Sequence, residues 1–379
     1  MSKQRTLEAI MNREFYLNLA KSGAAFPIGT DLVVHEKNDP KKVMLDGILL
    51  GKAVEEASRR FNAPLAFPLM DLKLEKALLL DILGVPQDNV DTFHFETTPT
   101  DEMIEKVRNE LPKSSLPRID ATCGAVRYIT EKTELVPVGM CIGTFSLMTK
   151  LMSDPITAVY LLGMGVKAEE EEAVGTVKKC LDLASIVIKE YITKQIKAGA
   201  KAIIMCEPAA NKIYISPTQI EEGSDVFDRC VMDYAFEIKK LLDQHGVDLI
   251  LHDCGELTDH MIEKFVKLDP AMLSLGSSRK LWEDARIVPK TTVLYGNLPS
   301  KHFYSDEKIT KGQVIEKSLE LVRKMKEVNH PFILGSECDV LSVPESIGTI
   351  NDKVGALVSC GCCCHDSHKQ IRTVPPKAA

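Results

Sequence analysis

No run of apolar residues in this 379-residue chain reaches the length of a membrane span, and no stripe of lysine and arginine is long enough to track a phosphate backbone. Neither a membrane nor a nucleic acid is therefore expected as a partner. The opening stretch, MSKQRTLEAIMNREF, lacks the apolar core of a signal peptide, so a cytoplasmic location is expected. No GxGxxG follows any apolar run, which counts against a dinucleotide-binding domain. What is present is an ordinary globular balance, 45% hydrophobic and 27% charged with a net charge of −7. A chain of this size can bury the core of two average domains or of one large α/β barrel.

Short β-rich runs alternate with amphipathic stretches. The strand candidates are AAFPIGTDL (24–32), PLAFPLMDL (64–72), VPVGMCIGTF (136–145), AKAIIMCEPAA (200–210), VDLILHDCG (247–255), AMLSLGS (271–277), TTVLYGNLP (291–299) and PFILGSECD (331–339). Helical spacing marks 43–61, the stretch LEKALLLDILG ending at Gly84, roughly 155–198, 224–245 and 311–328, while 88–135 is charged and without a clear period. Near-continuous apolar strands alternating with helices indicate a parallel sheet, and eight such units predict a (β/α)₈ TIM barrel. The expected organisation is one barrel domain over residues 1–358 with an N-terminal helical extension, followed by a Cys/His-rich tail at 359–379.

Cysteine usage singles out the chemistry. Of eleven cysteines, Cys141, Cys180, Cys206 and Cys230 lie singly in apolar or helical patterns and read as small core residues of a reducing compartment. LILHDCGE (249–256) is different. His252 and Cys254 stand two positions apart at a strand end, so both side chains project to the same face. Cys338 ends another apolar run, FILGSEC. Two thiolates and one imidazole make a three-ligand tetrahedral zinc site with one position open, and soft sulfur favours zinc over magnesium or calcium. The tail segment CGCCCHDSH, with Cys360, Cys362, Cys363, Cys364, His365 and His368, is a competing metal candidate on composition alone.

With those residues located, the chain resembles the uroporphyrinogen decarboxylase superfamily from about Ala24 to Val358. PLMDLKLEKALLLDILG is similar to its second-strand region, PVGMCIGTFSLMTKL to its "GPFTLA" segment and AGAKAIIMCEPAANKIYISPTQI to its "GAD…DP…ISP" segment. LILHDCGE and GNLPS resemble "HxCG" and "GNxxP". The resemblance implies a (β/α)₈ barrel. His252-x-Cys254 with Cys338 matches the zinc signature of the corrinoid-dependent methyltransferase branch, whereas decarboxylases carry an arginine-rich N-terminal clamp. Here the comparable stretch, MNREFYLNLAKSG, has only Arg13.

The resemblance therefore implies a zinc-dependent enzyme that moves a methyl group between a small donor, a methoxylated aromatic by preference, and the cobalt of a corrinoid (cobalamin) supplied by a partner protein. A methylcorrinoid:thiol transferase of the coenzyme M type, a decarboxylase and a non-catalytic zinc-barrel sensor are the alternatives, and a homodimer is allowed. Glu207, and after it Asp71, are the expected proton donors at the barrel mouth, with a helix cap or buried acceptor as the plain structural reading. Tyr214, Tyr295 and Asn297 are expected to line the substrate, or else to be wall and turn residues. His260, His302 and His330 are expected at the surface.

Overall fold

The computed structural model describes residues 13–362. Seven parallel strands form one sheet in sequential order: β1 Leu65–Ala66, β2 Val136–Ile142, β3 Ala202–Cys206, β4 Asp248–Asp253, β5 Met272–Leu275, β6 Val293–Leu298 and β7 Phe332–Ser336. Nearly every strand residue is buried, as the unbroken apolar runs require of a sheet covered on both faces. Among the described residues no helix is long and apolar enough to cross a membrane.

The expected count of eight strands is not met. The 24–32 run contributes only two isolated parallel bridges, Ala25 to Leu334 and Ile28 to Asp339, and turns into a helix at Thr30–His35. Its composition explains why. Pro27 has no N–H to offer, and the N–H of Ile28 goes to the Ser336 hydroxyl at 3.0 Å instead of to a ladder carbonyl. Phe26 N–H still reaches the Leu334 carbonyl, and the Ile28 carbonyl accepts from Val340 N–H. On its other side the Thr30 hydroxyl donates to the Phe67 carbonyl at 2.7 Å, just past β1. The segment thus links the two edge strands without itself being one.

The helices also depart from the even periodicity. The expected 155–198 helix is two, Pro155–Gly163 and Glu172–Ala198, separated at Gly165, whose φ of +83° suits glycine. The 43–61 helix breaks at Asp46, whose carboxylate accepts from the N–H groups of Ile48 and Leu49 and starts a new helix, Gly47–Arg60. The featureless 88–135 region holds helices Asp101–Glu110, capped by the Thr100 hydroxyl, and Pro117–Lys132, with proline in its first turn. Helix Lys311–Val328 lies where expected, with a capping box from Thr310 and Gln313. Helix Ile347–Cys362 runs past residue 358, and the rest of the proposed Cys/His tail cluster, including Cys363, Cys364, His365 and His368, lies outside the described residues. His330, expected at the surface, is buried against the carbonyls of Val288 and Pro331.

One buried carboxyl ties the first helix after β1 to the sheet. Glu75, in helix Leu74–Leu83, is fully buried and accepts from the Ile142 N–H at 2.9 Å with one oxygen, while the other has no partner. Burial pushes its pKa up to about 8, against an ordinary 4.5. The folded state therefore binds this proton more tightly than the unfolded chain. The associated stability is fully present below about pH 4.5 and is lost as pH rises through 8. Glu75→Gln keeps the acceptor and cannot ionise. Urea unfolding of this variant at pH 5 and pH 8 is expected to show a shallower decline than the parent, by up to about 1.4 kcal/mol per pH unit within that window. Identical declines would show that Glu75 is not the titrating group.

Candidate metal centre

The carboxyl ends of β4 and β7 carry the three residues singled out by spacing. His252 is the penultimate residue of β4, Cys254 follows it, and Cys338 lies two residues past β7. One ligand atom from each lies within 4.8 Å of the others, and this is the one metal-competent cluster of His, Cys, Asp and Glu among the described residues. His252 is 1% exposed. Its Nδ1 lies 2.9 Å from the Ser274 hydroxyl, on the residue opposite it in β5, while its Nε2 is buried with no hydrogen-bond partner in the described chain. An imidazole fixed through one nitrogen, with the other orphaned and a ring nitrogen within 4.8 Å of two sulfurs, is the arrangement that a bound metal would complete.

The surroundings hold the ligands in place. The loop after β5 passes so close to Cys254 that a side chain at Gly276 would strike the Cys254 backbone at 2.7 Å. Asn297, expected to meet substrate, instead donates its side-chain amide to the Gly276 carbonyl at 2.8 Å and the Arg279 carbonyl at 2.9 Å. The Ser300 hydroxyl donates to the Cys338 carbonyl, and buried Glu337 accepts from the Ser277 N–H. A hydrogen bond from the Cys338 thiol, reinforced by His252 and Lys301, holds the Cys254 sulfur well below the usual thiol range despite its burial. Cys338 keeps its proton correspondingly tightly, through that same bond and burial. Two sulfurs this close, one of them held toward the thiolate, make the arrangement that a cation would complete.

Lys301 was not found by sequence reasoning. It follows β6 in the turn Ser300–His302 and reaches Cys254. Lys301 is an exposed residue; partial desolvation works to depress its ammonium, but the sulfurs of Cys254 and Cys338 and the Glu337 carboxylate outweigh it and hold its pKa above the ordinary value. Ser274 was missed as well, because a serine inside MLSLGS carries no pattern of its own. His260 and His302 are exposed, as expected.

The expected proton donors both lie past strand ends and are held by other groups, with the Glu207 N–H donating to the His252 carbonyl at 2.9 Å. Glu207, one residue past β3, is 2% exposed and accepts from the N–H groups of Phe145 and Ser146 at 3.3 and 2.6 Å. It braces the short helix Thr144–Thr149, and only glycine at 143 leaves room for its carboxyl. Burial raises its pKa to about 7 against the pull of those amides. Asp71 is spent as an ion pair with Arg118 at 3.1 Å and accepts from the Lys73 N–H. Tyr295 is fully buried, its hydroxyl donating to the Phe26 carbonyl at 3.0 Å and its ring stacked among Phe26 and Phe67, which makes it a core residue instead of a substrate wall. Tyr214 is half-buried, edge-on to Phe145, and lines a cavity at the strand ends. Arg13 lies at the opposite face, paired with Asp269 and donating to the carbonyls of Asp269 and Pro270, so it cannot clamp carboxylates at this mouth.

Comparison with known proteins bears on the same stretch. Residues 81–359 match the family model described as Uroporphyrinogen decarboxylase (URO-D). No curated protein matches the chain. Among solved structures, a methyltransferase from Methanosarcina mazei superposes with a TM-score of 0.64 at 17% identity, over 93% of this chain and 98% of that one. At that identity the likeness is one of fold.

The Ser274 contact gives the centre a test of its own. Ser274→Ala removes the partner of Nδ1 and leaves the three ligands in place. It is expected to weaken Zn²⁺ affinity by about tenfold or more in chelator competition, with little change in thermal stability of the metal-free protein. Unaltered affinity would show that the imidazole is oriented by packing alone.

Proposed function

The chain belongs to the uroporphyrinogen decarboxylase family, and from that premise we propose that it is a zinc-dependent methyltransferase rather than a decarboxylase. In this reading it moves a methyl group between a small donor, a methoxylated aromatic by preference, and the cobalt of a corrinoid delivered by a partner protein. The observation that carries the reading is the convergence of a His252 ring nitrogen with the sulfurs of Cys254 and Cys338, beside a buried Nε2 without a hydrogen-bond partner. Soft sulfur and imidazole donors fit zinc, and the buried, orphaned Nε2 fits a site that expects an ion. The seven-stranded sheet is read as a (β/α)₈ barrel whose eighth stave is the linking segment at residues 25–30.

His252, Cys254 and Cys338 would hold the zinc, which when bound supplies Lewis acidity at one open position. Two thiolates offset the charge of a divalent ion, so further positive charge near the reacting oxygen is useful. Lys301 supplies it beside the sulfurs. Glu207, itself 2% exposed, would hold a proton below about pH 7. Both carboxylate oxygens also brace the helix Thr144–Thr149, so the same group positions the wall of the mouth. The missing arginine clamp, with Arg13 committed to the far face, argues against a substrate with many carboxylates.

Metal analysis of the purified protein, joined to a screen of methyl donors against cobalt(I) corrinoid followed by its absorption spectrum, tests the reading. One zinc per chain with methyl transfer is expected. Zinc without transfer from any donor would favour a sensor, transfer only from methylcorrinoid to a thiol would reverse the direction, and porphyrinogen decarboxylation would overturn the assignment. Cys254→Ala should abolish zinc and transfer together while the fold persists; unchanged metal content would reject the ligand set. Glu207→Gln should keep zinc and slow transfer. The parent rate should fall as pH rises through about 7, and the variant should lose that dependence. A variant with the parent's profile would leave Glu207 as a brace only.

A further inference from the structure

A second group of charges stands over the same face of the sheet, above β1 to β3 and not at the metal centre. Lys73 and Lys76 follow β1, Lys150 ends the helix after β2, and Tyr214 follows β3. Together they line a cavity of about 390 Å³ with Asp91 and His94. That volume falls in the range that takes small ligands. Of three larger cavities, two open toward the opposite face, among residues such as Ala24, Pro64 and Pro331, and one lies among helix residues such as Leu181, Cys230 and Tyr234, all away from the strand ends that carry the site.

The charge inside does not balance. Lys73 pairs with Asp91 at 2.8 Å, and both are well exposed, so that pair cancels itself. Lys76 is 5% exposed and donates to the Phe93 carbonyl at 2.8 Å, a neutral acceptor that satisfies one of its three N–H groups. Lys150 adds a second cation to the same cavity. Burial, then Lys150, push the Lys76 ammonium below its ordinary pKa, so the chain bears a cost for keeping these cations together. A buried ammonium beside a like charge, offset only in part by an Asp91 already paired with Lys73, is relieved by an anion from outside.

We propose that the Lys73–Lys76–Lys150 cavity is an oxyanion site that takes the carboxylate or phosphate of a small ligand, with the Tyr214 ring as the apolar wall for the body of that ligand. The cations match either oxyanion, and the half-buried ring set edge-on to Phe145 offers a face for an aromatic frame. If the methyltransferase reading holds, this site favours an anionic methyl donor over a neutral one. Anion binding is measurable without that reading, so either can fail alone.

Calorimetric titration of the full-length protein with inorganic phosphate, benzoate and benzyl alcohol tests the assignment. Saturable binding of benzoate or phosphate, weakened by salt, is expected, with benzyl alcohol at least about tenfold weaker. Preference for benzoate identifies a carboxylate ligand, and preference for phosphate a phosphorylated one. Lys150→Gln should weaken the bound anion by about tenfold or more, and Lys150→Arg should restore most of it. Asp91→Asn removes the one carboxylate of the cavity, at an exposed position that threatens no fold, and should tighten binding severalfold. Absence of saturable binding by both anions, or Lys150→Gln and Asp91→Asn proteins that bind as the parent does, would overturn the proposal.

Discussion

The meeting of one imidazole nitrogen and two sulfurs over the strand ends is the constraint on which the site depends, and it is a statement about the whole sheet. Two strands, β5 and β6, lie between β4 and β7. In a flat sheet three spacings of 4.7–4.9 Å would hold their axes about 14 Å apart. The ligand atoms nevertheless lie within 4.8 Å of one another. Only a strongly curled sheet with inward-pointing ends closes that difference. Whatever sustains the curl therefore sustains the metal centre. The Tyr295 hydroxyl reaches from β6 to the Phe26 carbonyl, and the rings of Phe26, Phe67 and Tyr295 fill the interior below. A change there acts on the ligands without touching them.

Electrostatics at the mouth follow from the same burial. Glu75, Glu207, Asp253 and Asp339 are all buried among apolar surroundings, and burial raises each of their pKa values. Carboxyls that would otherwise fill the mouth with negative charge are thus held toward the neutral form. The field that remains is set by the sulfurs at one side, by Lys301 beside them, and by the lysines over β1 to β3. On the proposed reading, the lysines over β1 to β3 make one side of the mouth receptive to anions, which the net charge of −7 would not suggest.

The centre was legible because two of its ligands lie on one strand with the two-residue period that fixes a common face, and the third ends another apolar run. Residues that act through a neighbour were not. Ser274 is marked only by its register opposite His252, and Lys301 by a turn that follows β6. The first strand failed for a local reason, since AAFPIGTDL has the hydrophobicity of a strand but not the free N–H pattern. Asn297 is expected at the end of its strand and Tyr295 on the same strand, yet spacing does not say whether a polar tip meets substrate or a carbonyl. Here both meet carbonyls. The helix breaks at Asp46 and Gly165 were written in capping and turn chemistry and were hidden by a hydrophobic period that continues through them.

Substrate size and charge can be argued from what the mouth contains. A tetrapyrrole with several carboxylates needs several cations spread around its rim. In the described chain Arg13 is committed to the loop at residues 269–270, and Arg118 to Asp71. Lys76 and Lys150 instead stand on one side, around the cavity proposed for a single small anion, and Lys301 stands by the sulfurs. Across the same face stands a soft-ligand centre with a lysine beside it. On the proposed reading, one anionic anchor and one electrophilic centre, at different points of a single mouth, would fix a small molecule at two ends and leave the space above free for a second, larger partner. That division fits a transfer between a small molecule and a docked protein better than it fits chemistry on a macrocycle enclosed within the barrel.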